Sequence, residues 1–152
     1  WTGDDGVPGA ARLEPDPSVR PVACVPSVAV STSTARGLLP EQVPHADAAR
    51  NAGRAALLVA ALTGRTDLLM AATEDRLHQD FRRPAYRATL ALVERLRAGG
   101  VPAVVSGAGP TVMALTTGAD QLDLVRATAG EGFSVRPLDV DREGAVVGAV
   151  AG

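Results

Sequence analysis

The loop Ser106–Thr111, with the sequence SGAGPT, carries residue types that can bind an anion. It separates two apolar runs at 103–105 and 111–115. Glycines allow positive φ angles and close backbone approach, and successive N–H groups in such a loop can form an anion-binding nest. A lone GxG is also typical of a tight hairpin without a ligand, which is the favoured interpretation when the loop is taken alone. The pattern is not GxGxxG, so a Rossmann fingerprint is excluded.

A second candidate site combines Thr32 with Arg36, four residues apart at the start of a predicted helix. This spacing places both side chains on one helix face near the positive end of the helix. Arginine offers a planar pair of donors that suits a carboxylate, so the pair could bind an acidic group of a substrate. Taken alone, a capping threonine beside a solvated arginine explains the pair better.

The polar stretch 75–83, DRLHQDFRR, interrupts a helical pattern before Pro84. His78 could act as an acid or base because its ordinary pKa lies near neutrality. No motif spacing gives it a partner, so a structural or surface histidine is favoured. Arg82 is the better candidate for a binding residue, because it would place a second cation in a helix-breaking turn. Arg83 is interpreted as solvated.

Three further residues are given structural interpretations. His45 is predicted in the first turn of its helix, and its spacing from the other histidine matches no metal motif. Cys24 lies in an apolar strand and is read as a small core residue. Asn51 is expected to form a hydrogen bond across a helix contact, with no chemistry assigned.

Hydrophobic periodicity and turn residues predict the elements that must position these side chains. Pro84 is placed in the first turn of the third long helix, and the small residues of the helix over 44–62 predict close packing against another layer. The alternation of helices with short strands predicts an antiparallel or mixed sheet covered by helices, an α+β sandwich. The predicted strands span 20–26, 103–105, 111–115 and 133–140, with a last strand or tail at 145–150; the predicted helices span 32–39, 44–62, 66–77, 85–97 and 119–129.

Composition excludes several classes of protein. The chain has 152 residues, 15 basic against 17 acidic, and a net charge of -2, which argues against an electrostatic nucleic-acid binder. No uncharged run approaches the roughly 20 residues that cross a bilayer, and no signal-peptide pattern opens the chain. All basic residues are arginine, so a lysine-containing phosphate loop and a Schiff-base lysine are excluded.

The start of the chain predicts that it is part of a longer protein. Trp1 is not an initiator methionine, and residues 2–6, TGDDG, are typical of a hairpin tip between two strands. We therefore expect a C-terminal portion of a larger protein.

The order of four segments resembles the C-terminal half of the homoserine kinases, a family of the GHMP kinase superfamily. The segments are STSTARGLLP, VPHADAARNAGRAALLVAAL, DRLHQDFR and VVSGAGPTVMAL, and the resemblance covers residues 20 to 140. The glycine loop indicates the superfamily, and the STxxAR and DRLHQ segments indicate the family. The resemblance implies a ferredoxin-like two-layer α+β sandwich with a mostly antiparallel sheet.

The resemblance also implies roles for individual residues. Thr32 and Arg36 match substrate-binding positions, and Arg82 matches an arginine that helps hold the substrate carboxylate. Gly107, Ala108 and Gly109 match a loop that packs beside the phosphate-binding loop and supports the nucleotide site. No catalytic or metal-binding residue is assigned within these 152 residues.

The chain departs from the family because no PxxxGLGSSA-type phosphate loop occurs in it. The resemblance implies that ATP and Mg²⁺ are held mainly by an N-terminal ATP-binding domain that is absent from this chain. Residues 1–19 then correspond to the end of that domain and a linker hairpin, and 20–152 to the C-terminal domain. We expect this chain to be inactive alone and to expose an apolar face, with a tendency to pair as a homodimer.

The resemblance implies a cytoplasmic enzyme that phosphorylates L-homoserine with ATP in threonine biosynthesis, without nucleic-acid or membrane partners. Two alternatives stay open. Another GHMP kinase acting on an isoprenoid alcohol such as mevalonate would also bind a carboxylate. A non-catalytic amino-acid-binding α+β module would explain the missing phosphate loop.

Overall fold

A computed structural model describes residues 2–4, 6–28 and 32–142, without the side chains of Thr32 and Thr34. The Gly6 N–H donates to the Gly3 carbonyl at 2.9 Å, and Thr2 forms an isolated antiparallel bridge with Pro8. Part of the predicted hairpin tip over 2–6 lies outside the described residues. The predicted strand or tail at 145–150 lies outside the described residues.

Within the described residues, four antiparallel strands form one sheet: β1 (Arg20–Pro26), β2 (Ala103–Val105), β3 (Val112–Thr116) and β4 (Phe133–Pro137). Their order in the sheet is β2-β3-β1-β4. Cys24 in the middle of the sheet lies opposite Val112 on one side and Val135 on the other. The order of the strands in the chain and in the sheet is that of a ferredoxin-like fold, with extra helices inserted between β1 and the helix Arg87–Ala98, which confirms the predicted fold class.

The helices largely follow the predicted pattern. The two short 3₁₀ segments are Thr66–Leu68 and Asp80–Arg82. His45 is the first residue of its helix, as predicted. The helices are α1 (Thr32–Gly37), α2 (His45–Leu62), α3 (Leu69–Ala72), α4 (Arg87–Ala98) and α5 (Ala119–Ala129).

The main core lies between the sheet and the helices α4 and α5. Val112 and Ala114 alternate with half-buried residues along β3, so one face of this strand packs against the core. Leu92 and Leu96 of α4 are fully buried against it. A second, smaller apolar cluster packs α2 and α3 against Leu115 of β3. Because side chains alternate along a strand, Leu115 lies on the opposite face of the sheet from Ala114.

Four expectations about the elements are wrong. The second long helix ends at Ala72 instead of reaching residue 77. Since α4 begins at Arg87, Pro84 lies before the helix and not in its first turn. Strand β4 ends at Pro137, three residues early. Close packing along α2 is also wrong, because Ala61 is its only buried residue and the helix contacts its neighbours with one face.

None of the helices in the described part of the chain combines the length and the apolar character needed to cross a bilayer.

Candidate functional site

The glycine-rich loop Ser106–Thr111 is a hairpin between β2 and β3. The Ser106 N–H donates to the Thr111 carbonyl at 2.8 Å, and the Gly109 N–H donates to the Ser106 carbonyl at 2.9 Å. Gly107 and Gly109 have positive φ angles of 56° and 84°. The peptide bond between Gly109 and Pro110 is cis. The loop therefore has the backbone freedom that the sequence predicted.

Gly109 is required by close approach as well as by its backbone angle. A Cβ atom there would lie 2.8 Å from Val105 Cγ1 and 3.1 Å from Tyr86 Cζ. Neither atom can move easily, because Tyr86 is buried in the core and Val105 belongs to β2. Any larger residue at position 109 would therefore displace the loop from Tyr86.

A row of four polar side chains, which we call the polar ladder, binds this loop and the strand before it. Its members lie three, four and three residues apart, and each contacts a different backbone group. They are Gln79, whose Oε1 accepts from the Val105 N–H at 2.8 Å; Arg82, whose Nη1 donates to the Gly107 carbonyl at 3.2 Å; Tyr86, whose hydroxyl donates to the Ala108 carbonyl at 3.0 Å; and Thr89, whose hydroxyl donates to the Pro110 carbonyl at 2.9 Å.

Arg82 joins the loop to α1. Its Nε donates to the Ala35 carbonyl at 3.2 Å, next to Arg36 in the chain, while its Nη1 reaches Gly107. The residue is only 7% exposed, and no carboxylate of the described residues pairs with it. A buried guanidinium without a carboxylate partner is costly to desolvate, and a bound anion would offset that cost.

The structure brings α1, Arg82 and the glycine loop together through hydrogen bonds from the Arg82 side chain to two backbone carbonyls. Through Arg82, the end of α1 that carries Arg36 meets the loop at Gly107. Arg36 is exposed in the last turn of α1, so the prediction that it lies near the positive end of this helix is wrong, because the helix already ends at Gly37. Thr32 begins the same helix. Candidate residues that the sequence treated as separate, in α1, at Arg82 and in the glycine loop, therefore lie next to each other.

Asp75 organises the turn that precedes the polar ladder. Its carboxylate accepts hydrogen bonds from the backbone N–H groups of Leu77, His78 and Gln79 and from the Asn51 amide. Burial alone would raise the pKa of Asp75, but these bonds and the one from His78 outweigh it, so the pKa is held below its usual range. Asp75 is therefore a structural anion that captures backbone donors.

The remaining candidates have structural roles. His78 is half exposed, and its Nδ1 lies 3.0 Å from the Asp75 carboxylate, a partner that motif spacing did not reveal. Asn51 forms hydrogen bonds with the Asp75 carboxylate and the Arg76 N–H, which lie in the turn after α3 and not in a second helix as expected. Cys24 is fully buried, and burial raises the pKa of its thiol, which suits a core residue.

Sequence reasoning missed Tyr86 and Thr89, and it gave Gln79 no role. The signal that could have found them is their spacing with Arg82 along the chain, which repeats every three or four residues. This repeat was hidden because the stretch contains Pro84 and is not one continuous helix. Only the folded loop shows what the four side chains share.

A cavity of about 540 Å³ lies between α2 and the turn after α3 and extends to Gln79 and Asp80. Four of its charged residues pair with each other, Arg50 with Glu74 and Arg76 with Asp47. It contains none of the predicted site residues. We therefore place the candidate site at α1, Arg82 and the glycine loop.

The candidate site does not contain the ligands of a metal centre. Across 2–4, 6–28 and 32–142, no three histidine, cysteine, aspartate or glutamate side chains cluster as metal ligands would.

The fold and the glycine loop agree with one family of proteins. Residues 55–134 match the family described as GHMP kinases C terminal. The match covers more than half of the chain, so the chain belongs to this family.

Three similar bacterial proteins share one name. Homoserine kinase of Streptomyces avermitilis is 59% identical over 144 residues, covering 95% of this chain and 47% of that protein. Homoserine kinase of Streptomyces coelicolor is 58% identical over 144 residues, covering 95% and 46%. That of Mycobacterium tuberculosis is 46% identical over 144 residues, covering 92% and 46%. The chain thus spans about half the length of the curated relatives it matches.

A solved structure supports the fold. The crystal structure of homoserine kinase from Cytophaga hutchinsonii aligns with a TM-score of 0.75 and 21% identity, covering 84% of this chain and 43% of that one. At this identity the likeness shows the architecture, and the ferredoxin-like sandwich is shared.

Proposed function

We propose that this chain is the C-terminal part of a homoserine kinase. The whole enzyme transfers the γ-phosphoryl group of ATP to the hydroxyl of L-homoserine, giving ADP, a proton and O-phospho-L-homoserine, in the cytoplasm and in threonine biosynthesis. Relatives of that name at 59% and 58% identity support the substrate, and the GHMP family supports ATP as the phosphoryl donor.

The observation that carries the proposal is the position of Arg82. A buried guanidinium without a carboxylate partner among the described residues lies between α1 and the glycine loop. It can meet the carboxylate of an amino acid on one side while the loop meets a phosphate on the other. Two reactants would then be held next to each other, as phosphoryl transfer requires.

In this proposal Thr32, Arg36 and Arg82 bind the amino acid. The two arginines hold its carboxylate with charge-assisted hydrogen bonds, and the fixed carboxylate aims the terminal hydroxyl at the γ-phosphate. The reaction needs alignment and neutralisation of charge more than covalent chemistry from the protein. This chain thus supplies residues that bind the acceptor substrate.

The same proposal assigns nucleotide support to Gly107, Ala108 and Gly109. Their loop packs beside the phosphates, while most of the contacts to ATP and Mg²⁺ belong to an N-terminal domain outside these residues. Residues 1–19 are the connection to that domain, and 20–152 form the C-terminal domain. The chain alone should therefore lack activity, and a homodimer is the proposed assembly.

A substrate comparison tests the reaction. The complete reading frame that encodes this chain is expressed, and ADP release is measured with L-homoserine and with mevalonate. We expect release with homoserine and none above background with mevalonate. Release with mevalonate alone would identify a different GHMP kinase, and amino-acid binding without ADP release would identify a binding module.

Arginine variants test the proposed carboxylate contact in the same enzyme. Arg36→Ala and Arg82→Lys should each raise the KM for homoserine by about 10-fold or more, since a charge-assisted hydrogen bond contributes roughly 1.5–3 kcal/mol. In Arg36→Ala the KM for ATP should change by less than about 3-fold, whereas Arg82→Lys also alters the contact with the Gly107 carbonyl. Arg126→Ala, an exposed arginine of α5, is the control. Equal effects of Arg36→Ala on both KM values would reject the carboxylate assignment.

A further inference from the structure

The polar ladder binds the carbonyl side of the glycine loop. Arg82, Tyr86 and Thr89 take the carbonyls of Gly107, Ala108 and Pro110 as acceptors, at 3.2, 3.0 and 2.9 Å. The carbonyl groups of half the loop are thereby directed toward buried side chains.

Two backbone N–H groups of the loop are available to bind a ligand. Within the part of the chain that the structure describes, the N–H groups of Gly107 and Ala108 donate no hydrogen bond. Gly107 is exposed and has a φ of 56°, the left-handed conformation that alternates with ordinary residues in an anion-binding nest. Two consecutive free donors suit the oxygens of a phosphate group.

The polar ladder stabilises one conformation of the loop. Thr89 is 2% exposed and Tyr86 is 6% exposed, so water cannot replace their hydroxyl groups easily. Burial raises the pKa of the Tyr86 hydroxyl, opposed in part by Arg82, which keeps it protonated as a donor. If either hydroxyl is removed, a loop carbonyl loses its partner and the loop can turn.

We propose that Tyr86 and Thr89 are positioning residues for phosphoryl transfer, which hold the loop carbonyls so that the N–H groups of Gly107 and Ala108 face the phosphates of ATP. This inference rests on the proposed function. Neither side chain is assigned a contact with a substrate; both act through the loop.

Two buried threonines provide a matched test. Thr89 in α4 donates to the Pro110 carbonyl at 2.9 Å, and Thr116 at the far end of β3 donates to the Arg20 carbonyl at 2.8 Å. They are 2% and 1% exposed. Thr→Val at either position removes one buried hydrogen bond to a backbone carbonyl without changing the shape of the side chain, so a general loss of stability should be similar.

The complete reading frame is used for the kinetics, with the Tm of each variant measured alongside. We expect Thr89→Val to lower kcat/KM for ATP by about 10-fold, because small misplacements at a phosphoryl-transfer site are costly. Thr116→Val should stay within about 2-fold of the wild type at a similar Tm. Thr89→Ser keeps the hydroxyl and should restore kcat/KM to within about 3-fold.

A variant of Tyr86 gives an independent second test. Tyr86→Phe removes the hydroxyl and keeps the ring that packs against Gly109. It should lower kcat/KM for ATP in the same direction as Thr89→Val while the KM for homoserine changes little. Equal kinetics for Thr89→Val and Thr116→Val, or a Thr89→Ser enzyme as slow as Thr89→Val, would overturn the inference.

ADP binding separates failure of the inference from failure of the proposed function. If the wild type releases no ADP with homoserine, the proposed function fails, and calorimetry with ADP then decides the inference. Thr89→Val should bind ADP about 10-fold more weakly than Thr116→Val, a difference of about 1.4 kcal/mol. Equal affinity, or no ADP binding by the wild type, would overturn it.

Discussion

Asp75 shows how one buried carboxylate shapes the backbone around it. Its side chain is 14% exposed and accepts three backbone N–H groups together with the Asn51 amide. Burial opposes ionisation, and the hydrogen bonds overcome that opposition, so the pKa is lowered in the folded protein. The ionised form therefore stabilises this turn, which leads directly into Gln79 and Arg82.

The lowered pKa predicts a dependence of stability on pH. Because the folded pKa lies below the unfolded value of about 3.9, the contribution is complete above roughly pH 4 and is lost as the pH falls through the folded pKa. Asp75→Asn should lower the free energy of unfolding by about 1–3 kcal/mol at neutral pH. Urea titrations should show the gap to wild type narrowing below roughly pH 4.

An exposed aspartate of α5 is the control for this prediction. Asp123→Asn removes a surface pair with Arg126 whose side chains are 74% and 55% exposed, so stability should change by less than about 0.5 kcal/mol. A gap for Asp75→Asn that stays constant down to roughly pH 2 would mean that its ionisation does not stabilise the fold.

Two glycines have nearly equal φ angles but different surroundings, so their alanine variants distinguish backbone strain from steric clash. Gly109 has φ 84° with Val105 and Tyr86 against it, whereas Gly100 has φ 83° with no atom within 4 Å of an added Cβ. Gly100→Ala should lower the free energy of unfolding by about 1–2 kcal/mol, the left-handed backbone cost alone. Gly109→Ala should lower it by about 2–4 kcal/mol, since overpacking adds to that cost.

Denaturant unfolding of the two variants measures the difference directly. Equal losses would show that Tyr86 and the loop can separate at no cost, and would weaken the idea of a rigidly held loop. A larger loss for Gly109→Ala would support it.

At the scale of elements, α2 differs from the rest of the fold in how little it buries. Only Ala61 of its 18 residues is buried, although the helix is rich in alanine. Packing therefore contributes less to the stability of α2 than to that of α4, which has five buried residues, and helix propensity matters relatively more in α2.

This difference predicts that the glycine within α2 lowers the stability of the helix. Gly53 is exposed within the helix, and an added Cβ would meet nothing within 4 Å. Gly53→Ala should raise the free energy of unfolding by about 0.5–1 kcal/mol, because glycine loses more backbone entropy than alanine in a helix. Ala56→Gly on the same helix should lower it by a similar amount. An unchanged or lower urea midpoint for Gly53→Ala would contradict the account.

Periodicity predicted the strands and most of the helices because those signals are local. The helix over 66–77 failed because polar side chains override propensity beyond Ala72. Thr73 turns its hydroxyl onto the Leu69 carbonyl, and Asp75 captures the next backbone donors. The Asp75 carboxylate also accepts from the Asn51 amide, which is 24 residues away, and no local pattern could show that contact.

At the scale of the whole molecule, charges are balanced and lie mostly at the surface. The net charge is only -2, and the ion pairs of the described residues have at least one partner in contact with solvent. Exposed pairs contribute about 0–1 kcal/mol each and are screened by salt. The fold therefore depends on its two apolar clusters much more than on charge.

Salt should consequently have little effect on stability. Raising sodium chloride from about 0.1 M to about 1 M shortens the Debye length from roughly 10 Å to 3 Å, and the free energy of unfolding should change by less than about 1 kcal/mol. The measurement is a urea titration at each salt concentration. A loss larger than about 2 kcal/mol would mean that the surface pairs act as a network.

The sequence by itself determined the α+β class, the bounds of β1, α2 and α5 to within one residue, and the positive φ angles of the glycine loop. These properties depend on hydrophobic periodicity and on residue types that act over a few positions. The order of four motifs also pointed to the family to which the chain belongs.

Only the tertiary structure decided how Arg82 meets Ala35 and Gly107, which lie 47 and 25 residues away. It also decided that Tyr86 and Thr89 hold the carbonyls of the same loop. The physical reason is that a hydrogen bond needs two groups within about 3 Å, and distant segments reach that distance only after the core has packed α4 against the sheet.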